Sequence, residues 1–125
     1  MTNYKYPIIA RKTRRPNKFF AKKTIAMGLK FDSRWEAERW GQLKSMERAG
    51  VVNNLQRQIK FPLMINEQKI CDYIADFEYD LTEESGTVKH IVEDAKGVQT
   101  PEFKLKKKMM KAIHNIDIHL SFKKK

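Results

Sequence analysis

The run Cys71-Asp72-Tyr73-Ile74-Ala75-Asp76-Phe77-Glu78-Tyr79-Asp80 alternates apolar and polar residues with a period of two. Successive side chains of a strand point to opposite faces. Cys71, Tyr73, Ala75, Phe77 and Tyr79 therefore form an apolar face, and Asp72, Ile74, Asp76, Glu78 and Asp80 the other. The run sits inside a longer strand, Gln68–Asp80, preceded by a strand-like run Gln56–Ile65, with Asn66-Glu67 between them as a tight turn. A third run, Val88–Lys96, follows the polar loop Glu83-Glu84-Ser85-Gly86. In it Val88, His90, Val92, Asp94 and Lys96 share a face, while Lys89, Ile91, Glu93 and Ala95 lie opposite. Antiparallel pairing of these consecutive runs is the simplest arrangement.

On the N-terminal side, Trp40, Leu43 and Met46 or Glu47 recur at three- and four-residue steps from Ser33 to about Ala49, which predicts a helix capped by Ser33 and stopped by Gly50. Before it, Ile25, Met27, Leu29 and Phe31 around Gly28 suggest a short hairpin. On the C-terminal side, Thr100-Pro101-Glu102 reads as a cap, a first-turn proline and an N-terminal carboxylate. The helix it opens runs to about His114, with Phe103, Met109, Met110, Ala112 and Ile113 as its apolar side. Ile116, Ile118, Leu120 and Phe122 then alternate as a last strand. The order is α-β-β-β-α-β after a hairpin: an α/β (α+β) domain with a central mixed sheet flanked by helices. Residues 1–23 show no sustained period and are expected to be a basic, partly flexible arm, leaving 24–125 as one domain.

The 125 residues carry 26 Lys and Arg against 15 Asp and Glu, a formal net charge of +11. Residues 1–30 hold nine basic residues and no acidic one, and 102–125 hold eight basic and two acidic. The middle, 31–101, holds nine basic and thirteen acidic. A hydrophobic content of 41% with seven Phe, four Tyr and two Trp is enough for a core, which argues against wholesale disorder. The apolar runs are too short for a membrane span, and the single Cys71 excludes an internal disulfide or a multi-thiolate zinc site. A basic intracellular protein with a polyanionic partner is the expectation.

The acidic minority holds the chemistry. If the acidic faces of the second and third strands are neighbours, Asp76 and Asp94 approach each other with Lys96 beside them. Two carboxylates suit a hard divalent cation such as Mg²⁺, which keeps coordination positions for water and phosphate. Such a cation acidifies a bound water and offsets phosphodiester charge, while a lysine positions the nucleophile or stabilises the transition state. The alternative is a solvated face with an exposed Asp94–Lys96 pair of little energetic weight. Glu36 completes a capping box with Ser33, in which its carboxylate returns to the cap amide. It also lies on the stripe of Trp40 and Leu43, so it faces inward and needs a partner there.

In that order of elements, Glu36 on the first helix, Asp76 on a central strand and Asp94-Ala95-Lys96 on the next resemble the PD-(D/E)xK nuclease core. The strings Phe31-Asp32-Ser33-Arg34-Trp35-Glu36-Ala37-Glu38-Arg39, Tyr73-Ile74-Ala75-Asp76-Phe77 and Val92-Glu93-Asp94-Ala95-Lys96-Gly97 are further similar to a family of phage and prophage proteins, over residues 17–122. The resemblance implies metal-dependent cleavage of DNA, with Asp76, Asp94 and Glu36 as metal ligands, the Ala95 carbonyl as a further ligand and Lys96 as the catalytic lysine. Mg²⁺ or Mn²⁺ is the implied cofactor. Two departures from the pattern are Ala75 where proline is usual and Asp94 where glutamate is commoner. Gln58 is similar to a recurrent glutamine of the phage family, with a strand-end hydrogen bond as an equal alternative.

Phage-type and archaeal junction-resolving endonucleases use a helix-one glutamate of this kind. Branched DNA, such as a Holliday junction, is therefore the implied substrate, a homodimer the implied assembly, and the host-cell cytoplasm the implied place of action. An acidic site needs cations elsewhere to hold a polyanion. Arg11, Arg14, Arg15, Lys18, Lys22 and Lys23 on the arm, with Lys104, Lys107, Lys108 and Lys111 on the last helix, are the candidate DNA contacts. Two other readings remain: a non-catalytic nucleic-acid-binding protein with a structural acidic cluster, and an RNA- or ribosome-associated basic protein.

Overall fold

The computed structural model describes residues 24–26, 28–96 and 98–122. The expected basic arm, with Arg11, Arg14, Arg15, Lys18, Lys22 and Lys23, lies outside the described residues. The chain divides into two compact units, a first that ends at Ala37 and a second that begins at Glu38. Among the described residues no helix is long and apolar enough to cross a membrane.

In the first unit, β1 (Thr24–Ala26) and β2 (Leu29–Phe31) pair antiparallel, Thr24 opposite Phe31. Gly28 turns the hairpin with φ +79°, a left-handed value that glycine adopts without a side-chain penalty. The first turn of α1 (Arg34–Arg48) also belongs here. Ser33 Oγ accepts the Glu36 N–H at 3.1 Å, as half of a capping box. The return bond differs from expectation: Glu36 Oε1 accepts from Asp32 N–H, at 3.3 Å, one residue before the cap.

In the second unit the rest of α1 is followed by β3 (Val52–Ile65), β4 (Gln68–Thr82), β5 (Val88–Ala95), α2 (Pro101–Met109) and β6 (His119–Ser121). The sheet order is β3-β4-β5-β6. β3, β4 and β5 are antiparallel neighbours, and β6 runs parallel to β5, so the sheet is mixed and the fold α+β. Asn66 and Glu67, both at positive φ, form the β3–β4 turn. Gly50, at φ +82°, closes α1, with Val51 N–H reaching back to the Met46 carbonyl at 3.0 Å.

β4 runs on to Thr82 and β5 stops at Ala95, and the boundaries of β3, α2 and the last strand depart further from the sequence expectation. β3 starts at Val52 instead of Gln56, because a register shift between Asn53 and Gln56, with Asn54 at φ +57°, lets a polar stretch continue the strand as a bulge. α2 ends at Met109 and continues as a π-helical turn, Met110–His114, closed by Asn115 at φ +59°. The wider turn leaves Ala112 exposed, not on the apolar side. Ile116 and Ile118 precede the last strand, which is confined to His119–Ser121.

β5 shows why the sheet needs helices on both sides. Val92, Glu93 and Asp94 are buried in succession, at 2%, 0% and 3% exposure, which an alternating strand achieves only with both faces covered. Val92 joins Leu63, Tyr73, Ala75, Phe103, Met110 and Ile118 in the core beneath α2. Glu93 points the other way, to α1, where Trp40 stacks on Phe77 with ring centroids 5.9 Å apart.

Glu93 is the buried charge of this layer. Arg39 of α1 grips it in a fork, Nε to Oε2 at 2.6 Å and a terminal nitrogen to Oε1 at 3.1 Å, and Tyr79 Oη donates to Oε1 at 2.5 Å. Burial alone pushes the carboxyl up, but hydrogen bonds from Arg39, Tyr79 and Ser121 outweigh it and hold Glu93 below its ordinary value. Removing one member strands the other's charge. We expect Arg39→Ala to cost about 3–5 kcal/mol in urea unfolding at pH 7, and Arg39→Met with Glu93→Leu far less. The contribution of Glu93 is complete above the ordinary glutamate value of about 4.3 and fades as pH falls through the lower folded value.

Candidate functional site

β4 and β5 pair from Thr82↔Val88 to Phe77↔Glu93, where their ladder ends. One residue further along each strand stand Asp76 and Asp94. Here the carboxylate of Asp76 stands in for a backbone carbonyl: its Oδ2 accepts the Ala95 N–H at 2.9 Å. On the far side of β4, the ladder to β3 runs Arg57↔Phe77 and Ile59↔Ala75 around Gln58, whose φ is +57°. A non-glycine residue held there costs energy, and such outliers gather at functional sites. Gln58 is exposed and stands level with Asp76, just past the last β4–β5 pair.

Asp94 is the most enclosed of the sequence-predicted groups in this unit. Its Oδ2 accepts from Tyr73 Oη at 2.6 Å, and Lys96 Nζ stands 3.5 Å from its Oδ1. Lys96 is placed from a second direction as well. Thr100 Oγ1 caps α2 by accepting the Phe103 N–H at 3.1 Å, which fixes Phe103 with its ring 4.5 Å from Lys96 Nζ. Asp76, Asp94, Ala95 and Lys96 are thus brought together around one strand end. Glu36 belongs to the first unit, where it is 3% exposed and bonded as described above.

A pocket of about 310 Å³ opens beside this strand end, lined among others by Tyr73, Asp94, Lys96 and Phe103. It also contains Glu102 and Lys106, paired at 3.1 Å, which periodicity alone did not single out. Lys104, Lys108 and Lys111 are exposed on the same helix and its π turn, Lys107 is half-buried, and Lys111 is paired with Asp117 at 3.1 Å. Tyr73 was sorted by alternation onto the face away from Asp94. A tyrosine on a buried strand face needs a partner for its hydroxyl, and that is the clue by which sequence reasoning would find it.

Farther up the same face, His90 lies between two carboxylates, Nδ1 2.9 Å from Asp80 Oδ1 and Nε2 2.6 Å from Glu78 Oε2, with Asn54 also donating to Asp80 at 2.8 Å. Hydrogen bonding to Asp80 raises the His90 pKa, partial burial opposes it, and hydrogen bonding to Glu78 adds to the rise. Among the described residues no group of three or more His, Cys, Asp or Glu is arranged to hold a metal, so a cation near Asp76 and Asp94 would rest on two side chains of this unit.

A family model described as a protein of unknown function, DUF1064, matches residues 16–125. The chain belongs to this family. The match takes in Glu36, Asp76, Asp94 and Lys96 and begins after Arg11, Arg14 and Arg15. No curated protein and no solved structure matches the chain.

The raised His90 pKa gives a prediction for this face of the DUF1064 fold. Its stabilisation is full below the ordinary histidine value of about 6.5 and is lost as pH rises through the higher folded value. Imidazole NMR should titrate His90 above 6.5, and the stability difference between wild type and His90→Gln should shrink as pH rises from about 6.5 through that higher value.

Proposed function

We propose that this protein is a metal-dependent endonuclease that hydrolyses DNA phosphodiester bonds, built on a PD-(D/E)xK-like core. The observation that carries the reading is the junction of Asp76 and Asp94-Ala95-Lys96 where β4 and β5 part, with Asp76 bonded to Ala95 N and Lys96 3.5 Å from Asp94. The donors there are two carboxylates and the Ala95 carbonyl, all hard oxygens, and a lysine stands beside them. That set suits Mg²⁺ or Mn²⁺ and not a thiolate-seeking metal. The resemblance adds Glu36 as a further ligand, which a Glu36→Gln variant tests.

The bound cation would supply an acidified water and charge compensation on the phosphate. Asp76 and Asp94 are the groups that would hold it. Asp94 is 3% exposed, so its charge acts through little water and is worth more than at the surface. Lys96 offers an ammonium that orients the attacking water or offsets the charge that develops on the phosphate oxygens. Phe103 beneath it limits where that ammonium rests. The lysines of α2 and of residues 1–30 offset repulsion between the acidic site and DNA, through contacts that carry no sequence information. Branched DNA, such as a Holliday junction in a host-cell cytoplasm, is the substrate class this favours. Its resolution needs two cuts and hence two copies of the chain.

A second reading has its own observation. Asp76 and Asp94 each accept a hydrogen bond from the protein, as purely structural staples would. A non-catalytic nucleic-acid-binding protein would look the same there. Supercoiled, linear, single-stranded and four-way-junction DNA, each with Mg²⁺ or Mn²⁺, separates the two. We expect metal-dependent nicking or resolution, reduced at least about 100-fold in Asp94→Ala and Lys96→Ala. Binding of all substrates without any metal-dependent cut favours the staple. Equal cleavage by wild type and both variants rejects the site.

A further inference from the structure

The contact between Tyr73 and Asp94 has no part in the reading above, and its geometry points to a task. We propose that Tyr73 is the positioning residue for the metal-ligating carboxylate of Asp94, an inference that rests on the nuclease site just described. Three features of the phenol carry it. Its Oη donates to Asp94 Oδ2 at 2.6 Å, the short end of the range for such a bond. Its ring is locked, stacked on Phe61 at 6.4 Å and tilted against Phe103 at 6.3 Å, with the whole residue 3% exposed. And Tyr73 lies on the stretch of β4 beyond its last rung with β5, so no backbone bond between the two strands performs this role at that level.

A carboxylate at a strand end turns freely about its last two torsions. One phenol hydrogen bond occupies a lone pair of Oδ2 and fixes the carboxylate plane, which presents Oδ1 on the side of Lys96, 3.5 Å away. The phenol, whose ordinary pKa is about 10, is the donor in this bond. Ligands of metals are commonly oriented in this way by groups that never touch the ion, and loss of such a partner typically weakens metal affinity by about 10–100-fold. Tyr73 thereby joins β4 to that ligand on β5. Phe103 touches both Tyr73 and Lys96, so one aromatic layer orients the carboxylate and the ammonium together.

The test is Mn²⁺ binding to the full chain, read by the electron paramagnetic resonance of free Mn²⁺, for wild type, Tyr73→Phe, Phe61→Leu and Asp94→Asn. Tyr73→Phe keeps the ring and removes the donor, so we expect a Kd at least about tenfold weaker with a thermal midpoint close to wild type. Phe61→Leu keeps the hydroxyl and loosens one side of the ring; it should lower the midpoint and weaken the Kd by clearly less than Tyr73→Phe does. Junction cleavage by Tyr73→Phe should then recover at saturating Mn²⁺, as a loss of metal affinity requires and a loss of structure does not. An unchanged Kd in Tyr73→Phe overturns the inference, as does equal weakening in Phe61→Leu. Wild type that binds Mn²⁺ through Asp94 but cuts no DNA overturns the nuclease reading and leaves the positioning role standing. Wild type with no Mn²⁺ affinity overturns both.

Discussion

Glu93 is clamped by Arg39 and Tyr79 against α1, and because side chains alternate along β5, that clamp decides where its neighbours point. With Glu93 committed to the α1 side, Val92 and Asp94 must face α2. Val92 pays its way as core. Asp94, buried beside it, is sustained by Tyr73 and Lys96. An ion pair on one side of the sheet thereby fixes the orientation of a carboxylate on the other. A one-residue slip of β5 would exchange Glu93 and Asp94 and undo both arrangements at once.

Much of this was legible in the alternation of Cys71–Asp80 and Val88–Lys96, since the face assignments follow from period two and a buried strand leaves few other options. The antiparallel order of β3, β4 and β5, the Asn66-Glu67 turn and the Thr100-Pro101 cap were readable for the same reason: each is a local rule. What strict alternation missed is non-local. It put Tyr73 with Phe77 and away from Asp94, and that holds only while a strand lies flat beside its neighbour. Past Phe77↔Glu93 β4 leaves β5, with Gln58 at positive φ on its other side, and Tyr73 meets Asp94 across the gap. The Arg39–Glu93 clamp was hidden for a similar reason. Arg39 reads as one more basic residue on a helix until the helix is laid on the strand.

The division of charge now has a structural counterpart. An excess of lysine and arginine would make a binder of any polyanion, and the exposed lysines of α2 fit that role. The acidic residues are arranged with more discrimination. Glu78 and Asp80 hold His90 on the outer part of the face, Glu93 serves the fold, and Asp76 and Asp94 meet at the strand end beside a lysine. The last group combines carboxylates, a cation and an adjoining pocket, which is why the proposed chemistry is placed there.

Anomalous diffraction at the manganese edge, from crystals of the full chain soaked in Mn²⁺, tests the central claim most directly. The account predicts a peak at coordination distance from one oxygen of Asp76 and one of Asp94, with Lys96 adjacent. A peak confined to the Glu78–His90–Asp80 group, or none at all at a concentration that saturates ordinary Mg²⁺ enzymes, would contradict it.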